Sequence, residues 1–188
     1  DFVVQNSGLT EITFPYGVES IGTAAFQRQN LKSVILPDTV TSLGGGAFGT
    51  NPKLERISLS KGLTAIPAGA FGCSDNKNWM ENLTGITLHE GIISIGDNAF
   101  AGNNFTEITI PSTVISVGNM AFSTKNYLET QCKVTLNEGL VTIGSRAFRN
   151  KVISEITLPT TVTKLDANTF EKKYSDGSSG VVTKVYVS

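Results

Sequence analysis

ISEITLPTTVTKLDANTF, residues 153–170, carries three signatures in a fixed order, and their recurrence along the chain decides the fold. The first is the extended segment ISEITLP, whose last positions alternate apolar with polar, the period of a strand with one buried face. The second is Val162-x-x-Leu165 followed by Asp166. The third is the closing Phe170, which follows Thr169 here and an alanine elsewhere.

Working outward, the closing phenylalanine recurs as Phe26, Phe48, Phe71, Phe100, Phe122, Phe148 and Phe170. The separations are 22, 23, 29, 22, 26 and 22 residues, so the unit is a repeat of 22 with lengthened copies. Extended segments recur as LTEITFP, LKSVILP, LERISLS, LTGITLH, FTEITIP, QCKVTLN, ISEITLP and VTKVYVS, which predicts eight strands. The middle signature ends on glycine at Gly22, Gly44, Gly96, Gly118 and Gly144. Glycine suits a turn that needs positive φ or a close backbone approach. Asp166 tolerates the left-handed region, whereas Pro67 cannot adopt positive φ and stands as an exception.

A unit this short cannot close a core alone. Stacked copies place Ile12, Val34, Ile57, Ile86, Ile108, Val134, Ile156 and Val185 in one buried row along a parallel sheet. The seven phenylalanines then form a second stack on the opposite side of the coil.

The order L-x-x-I-x-L, then P-x-x-V-x-x-I-G-x-x-A-F, closely resembles the BspA-like leucine-rich repeats of bacterial surface proteins, and the resemblance spans residues 9–188. It implies a β-rich α/β repeat solenoid: a right-handed leucine-rich-repeat superhelix with a curved parallel sheet of about eight strands and short helical or 3-10 turns opposite. It also implies a secreted or surface-attached protein that adheres to host proteins or other cells. The family supplies no catalytic motif to transfer. One domain over residues 1–188 is expected, with a cap strand and turn in 1–8, seven repeats in 9–181 and a final bare strand in 182–188. That open edge is expected either to continue into a longer polypeptide or to be shielded by a neighbour.

Composition narrows the partners. Fifteen basic against sixteen acidic residues leave a net charge of −1, too weak a field to hold nucleic acid or an anionic bilayer. The two cysteines, Cys73 and Cys132, have neither metal-ligand spacing nor a disulfide framework and are expected to be free and at least partly buried. His89 is the single histidine, so any Ser-His-Asp or Cys-His scheme would run through it; it replaces a strand-ending Pro and is expected at a solvent edge. Asp75, Asn76 and Asn78 lack the spacing and glycine of a calcium loop. No cofactor or metal is expected.

Two features are candidates for binding. On the outward strand face one column reads Glu11, Ser33, Arg56, Gly85, Glu107, Lys133, Glu155 and Lys184. Its last four members alternate in sign, which fits either a self-neutralising ladder of cross-strand pairs or a charged docking strip. The other feature is rhythm. From each stack phenylalanine to the next buried strand residue the count runs 8, 9, 15, 8, 12, 8, 15, so insertions follow Phe71, Phe122 and Phe170, all at one edge. Each carries one ring, Trp79, Tyr127 or Tyr174. Exposed rings among polar neighbours are frequent contact anchors, and rings folded back over a lengthened coil are the alternative.

The expected function is a non-enzymatic binding module for unidentified protein or glycan partners on host or neighbouring cells, with no nucleic acid and no membrane insertion. A structural spacer, or the recognition arm of an enzyme whose catalytic domain lies elsewhere, is the competing reading.

Overall fold

The structure is a computed structural model and describes residues 7–73, 80, 82–124, 131–166, 168–173, 179–180 and 184–187. The expected cap strand at Phe2–Val4 lies outside them.

Among the described residues there are fifteen short strands, β1 to β15 in chain order, of which thirteen fall into two rows. The front row is β2 (Ser33–Ile35), β4 (Arg56–Ser58), β7 (Glu107–Ile110), β9 (Lys133–Leu136), β11 (Glu155–Leu158) and β15 (Lys184–Val187). The flank row is β1 (Ser20–Ile21), β3 (Ser42–Leu43), β5 (Ala65–Ile66), β6 (Ser94–Ile95), β8 (Ser116–Val117), β10 (Thr142–Ile143) and β12 (Lys164–Leu165). A small antiparallel pair, β13 (Lys172–Lys173) with β14 (Ser179–Gly180), stands at the third insertion. Every front-row and flank-row pairing is parallel, the arrangement of a stacked β-solenoid.

The eight-stranded sheet needs correction. Six of the eight expected segments form strands, and they pair two by two as β2–β4, β7–β9 and β11–β15. Residues 9–15 and 83–89 carry no strand. The continuous ladder lies instead in the flank, where β5, β6, β8, β10 and β12 make one five-stranded sheet from the signature read as a turn.

The phenylalanine stack forms as expected. Consecutive rings of all seven lie 5.3–5.7 Å apart at interplanar angles of 1–13°. Phe48, Phe71, Phe100, Phe122 and Phe148 are wholly buried, and Phe170 partly so. Each main-chain N–H of the stack donates to the residue before the next phenylalanine, as in Phe48 N to Ala70 O at 2.8 Å and Phe100 N to Ala121 O at 2.8 Å. The buried row holds at Val34, Ile108, Val134 and Ile156. Val185 is half exposed because β15 has a neighbour, β11, on one side only.

No α- or 3-10 helix occurs among the described residues, against the expected helical turns. The reason is a backbone column that the repeat alignment did not single out. Two residues before each stack phenylalanine the chain enters the left-handed region: Ala24 (φ 53°), Gly46 (64°), Gly69 (64°), Asn98 (55°), Met120 (54°), Arg146 (57°) and Asn168 (58°). One left-handed residue breaks any run of right-handed turns before a helix can form. Four coils use a second one two residues after the ring, at Arg28, Thr50, Gly102 and Asn150. These four are the coils without insertions. Cys73 and Thr124, the equivalent positions at two insertion roots, stay out of this region.

The signature glycines follow a different logic. Neither Gly44, Gly96, Gly118, Gly144 nor Asp166 has positive φ. Close approach is what excludes a side chain: a Cβ on Gly96 would lie 2.7 Å from Ala68 N, and one on Gly118 would lie 2.5 Å from Asp97 N. Pro67, which carries a Cβ, holds the equivalent place in the third coil, and nothing in the structure explains the exception.

Candidate functional site

The front row displays its outward columns as the sequence pattern requires. Glu107 is in register with Lys133, and Glu155 with Lys184. Lys133 Nζ lies 3.4 Å from Glu107 Oε1, and both side chains are well exposed. Such a pair contributes about 0–1 kcal/mol, so its value lies in fixing charge positions and not in stability. The second column presents Ile35 beside Ser58, Thr109 beside Thr135 and Thr157 beside Tyr186. Ile35 (67% exposed) and Tyr186 (48% exposed) are large apolar surfaces facing water on this face.

Between β4 and β7 the face opens into a groove of about 1050 Å³, lined from Ser33 to Thr109. Gly85 sits at its centre, and a Cβ built there would meet nothing within 4 Å. The charged column therefore loses a side chain between Arg56 and Glu107. Partly buried Ile57 and Ile86 form an apolar floor, with Ser58, Thr84, Thr87, Thr106 and Thr109 supplying hydroxyls around it. A second groove of about 550 Å³ lies between β9 and β11, reaching Cys132, Lys133, Glu155 and Tyr186. The signal for the main groove was in the sequence, since Gly85 interrupts a column otherwise made of polar and charged residues.

Trp79, Tyr127 and Tyr174 lie outside the described residues, as do Asp75, Asn76 and Asn78. The roots of the first two insertions are described, and both are buried, at Cys73 and Thr124. Behind the second root sits a residue that sequence reasoning missed, Lys151, only 4% exposed. Its Nζ donates to Asn103 O at 3.0 Å and lies 5.4 Å above the Phe105 ring. Other coils place Gln29, Asn51 or Asn103 three residues after the stack phenylalanine, and Asn51 Nδ2 bonds both Phe26 O and Phe48 O. Lys151 holds that position in its coil and reaches past the intervening coil to Asn103. The break in this amide column was the available clue.

Burial lowers the Lys151 pKa to about 8, with the Cys132 thiol opposing the shift. Burial raises the Cys132 thiol, against the pull of Lys151. Neither Cys73 nor Cys132 is in a disulfide, and both are buried, as expected. His89 is only half exposed, and its Nε2 lies 2.9 Å from Ser60 O, so it ties two coils together.

Carboxylates clip other coils. Glu90 accepts from Ser112 Oγ at 3.0 Å and Ser112 N at 3.3 Å, and Glu138 accepts from Thr160 Oγ1 at 2.9 Å and Thr160 N at 3.1 Å. The Thr160 bonds hold the Glu138 carboxyl below the usual carboxylate range. No group of three or more His, Cys, Asp or Glu among the described residues is placed to hold a metal ion. No described helix is long and apolar enough to cross a membrane.

The repeat order and the stacked coils have a counterpart in a described family: residues 1–80 and 78–175 match the BspA type leucine rich repeat region, in six copies. The chain belongs to this family. As a BspA-type repeat protein it is similar to a leucine-rich repeat protein from Bacteroides ovatus, with 32% identity and a TM-score of 0.67 over 86% of this chain and 40% of that one. It also shares its fold with a leucine rich cell surface protein from Faecalibacterium prausnitzii, at 24% identity and TM-score 0.66 over 93% of this chain and 52% of that one. The leucine-rich repeat protein of T. pallidum is a more distant fold relative, at 23% identity and TM-score 0.52, over 80% of this chain and 63% of its own. The BspA-type chain thus spans between 40% and 63% of the length of these structures. None of the curated proteins matches it.

Proposed function

We propose that this chain is a non-catalytic binding module displayed at the bacterial cell surface, and that its front strand face meets a protein or glycan partner on a host or neighbouring cell. The groove at Gly85 carries the reading: a concave space of about 1050 Å³ with an apolar floor, surrounding hydroxyls and a charge at either side. The family and its structural relatives, one of them a cell surface protein, support the location and the binding role. The charged strip Glu107, Lys133, Glu155 and Lys184 extends the same face and orients the partner. Trp79, Tyr127 and Tyr174 are a second contact at the insertion edge, independent of the groove. Copies clustered on one cell would strengthen modest contacts through multivalency.

The test is binding to an array of matrix proteins and glycans by the wild type, Gly85→Trp, and the triple alanine variant of Trp79, Tyr127 and Tyr174. Gly85→Trp places a large ring at the groove from a position where a Cβ meets nothing within 4 Å, and is expected to weaken binding at least tenfold. Equal binding by wild type and Gly85→Trp would remove the front face from the reading, and equal binding by the triple variant would remove the edge. A wild type that binds nothing on the array would favour a spacer within a larger surface protein.

A further inference from the structure

The groove is open because the coil between β4 and β7 does not join either strand. Leu83 O accepts from Asn104 N at 3.2 Å and Thr84 O accepts from Thr106 N at 3.1 Å, after which the bonding stops. The main-chain N–H and C=O groups of Gly85, Ile86, Thr87 and Leu88 have no protein partner among the described residues. Behind them the coils remain joined, since β5 and β6 are paired and Gly96 N donates to Ile66 O at 2.8 Å. The loss of pairing is therefore confined to the front row. A run of unpaired backbone spans about 13 Å at the rise of a strand, and a solvent-facing row of unpaired N–H and C=O groups is a template for pairing with another extended chain.

Charge selects further. Glu107 is neutralised by Lys133, whereas Arg56, exposed at the groove's other side, has no ion-pair partner among the described residues. Glu55 lines the same groove and likewise has no ion-pair partner among the described residues, so both signs are free there, and the fork-shaped guanidinium of Arg56, in the outward column, is the group suited to a carboxylate. No aromatic side chain among the described residues lines the groove, so none of them offers the stacking platform by which sugar rings are commonly held.

Resting on the front-face reading, we propose that this groove takes an extended polypeptide segment of the partner. Its main chain hydrogen-bonds to Gly85–Leu88, and an acidic side chain of the segment sits on Arg56. Gly85 lets the segment approach the backbone closely, and the alternating donors and acceptors of a polypeptide match those of residues 85–88 in spacing.

The test has two arms. Amide hydrogen exchange of the whole chain is expected to show Gly85, Ile86, Thr87 and Leu88 exchanging at least a hundredfold faster than Ile108 and Ile110 of β7, whose N–H groups face β9; equal protection would overturn the proposal. A random peptide library displayed on phage is then selected on the wild type and counter-selected on Gly85→Trp. Enriched peptides are expected to carry Asp or Glu, to weaken at least tenfold against Arg56→Glu, and to lose binding when alternate residues are N-methylated in one of the two registers. Enrichment no better than on Gly85→Trp, or indifference to N-methylation in both registers, overturns the proposal. If Gly85→Trp abolishes binding on the array while no peptide is selected, the front-face reading stands and the peptide inference falls.

Discussion

The flank and the front of this solenoid are built from the same coils yet behave oppositely. In the flank, five strands run in unbroken register from β5 to β12. In the front, the strands separate into pairs, with a groove between β4 and β7. The flank repeats what every coil shares: a left-handed residue two before the ring, a stacked phenylalanine and a main-chain bond to the next coil. The front carries what differs between coils, including outward side chains and the effects of insertions that lengthen some coils. A repeat protein can thus keep its stability in one set of positions and its variation in another.

The largest expected effect tests the shared set. Phe100→Ala removes a wholly buried ring stacked on Phe71 at 5.7 Å and on Phe122 at 5.3 Å, and is expected to cost about 3–5 kcal/mol in urea unfolding. Replacing Tyr186, exposed on the front, by Ala is expected to change stability by no more than about 0.5 kcal/mol. A front-row cost as large as the stack's would erase the distinction between the two regions.

Glycines sharpen it. Gly118→Ala in the flank drives a Cβ to 2.5 Å from Asp97 N, where backbone must move, and is expected to cost about 3 kcal/mol. Gly85→Ala in the front meets nothing within 4 Å and is expected to lie within about 0.5 kcal/mol of the wild type. Thermal unfolding of the two variants side by side checks the contrast.

A titration probes the place where an insertion meets the core. The Lys151 pKa falls from 10.5 to about 8 on folding, so the unfolded chain binds more protons between those values and stability rises with pH across that window. The Cys132 thiol is raised on folding, and works in the opposite direction above its unfolded value. In a Cys132→Ala background the gain from pH 7.5 to 9.5 is expected to exceed that of the same chain with Lys151→Met by about 2 kcal/mol. Identical pH slopes would show that Lys151 does not bury its charge on folding.

The legibility of the molecule follows the same division. Phenylalanine spacing announced the stack, and period-two alternation announced the inward row, buried at Val34, Ile108, Val134 and Ile156 and partly buried at Ile12, Ile57 and Ile86, because both signals come from side chains turned toward the core. The left-handed column escaped because Ala24, Met120 and Arg146 hold conformations that their residue types do not advertise. The flank strands escaped because each is two residues long, too short for any period to show. The groove was half legible: Gly85 marked the missing side chain, but the parting of the front strands is a property of neighbouring coils together. Lys151 was hidden by distance, since its partner Asn103 lies 48 residues away.

The smallest expected effect asks whether the left-handed column is imposed by the stack. A non-glycine residue in this region costs about 1–2 kcal/mol, and glycine loses about 0.5–1 kcal/mol to its greater freedom when unfolded. Met120→Gly is therefore expected to stabilise by about 0.5–1 kcal/mol, and Asn98→Gly by less, because asparagine tolerates the conformation better. Gly46→Ala is expected to lose about 1 kcal/mol; its Cβ meets only the flexible end of Gln27, at 3.4 Å, so the loss would report conformation and not crowding. If all three variants instead change stability in the same direction, backbone conformation is not what this column shares. The regularity of the flank would then rest on ring stacking and main-chain bonds alone.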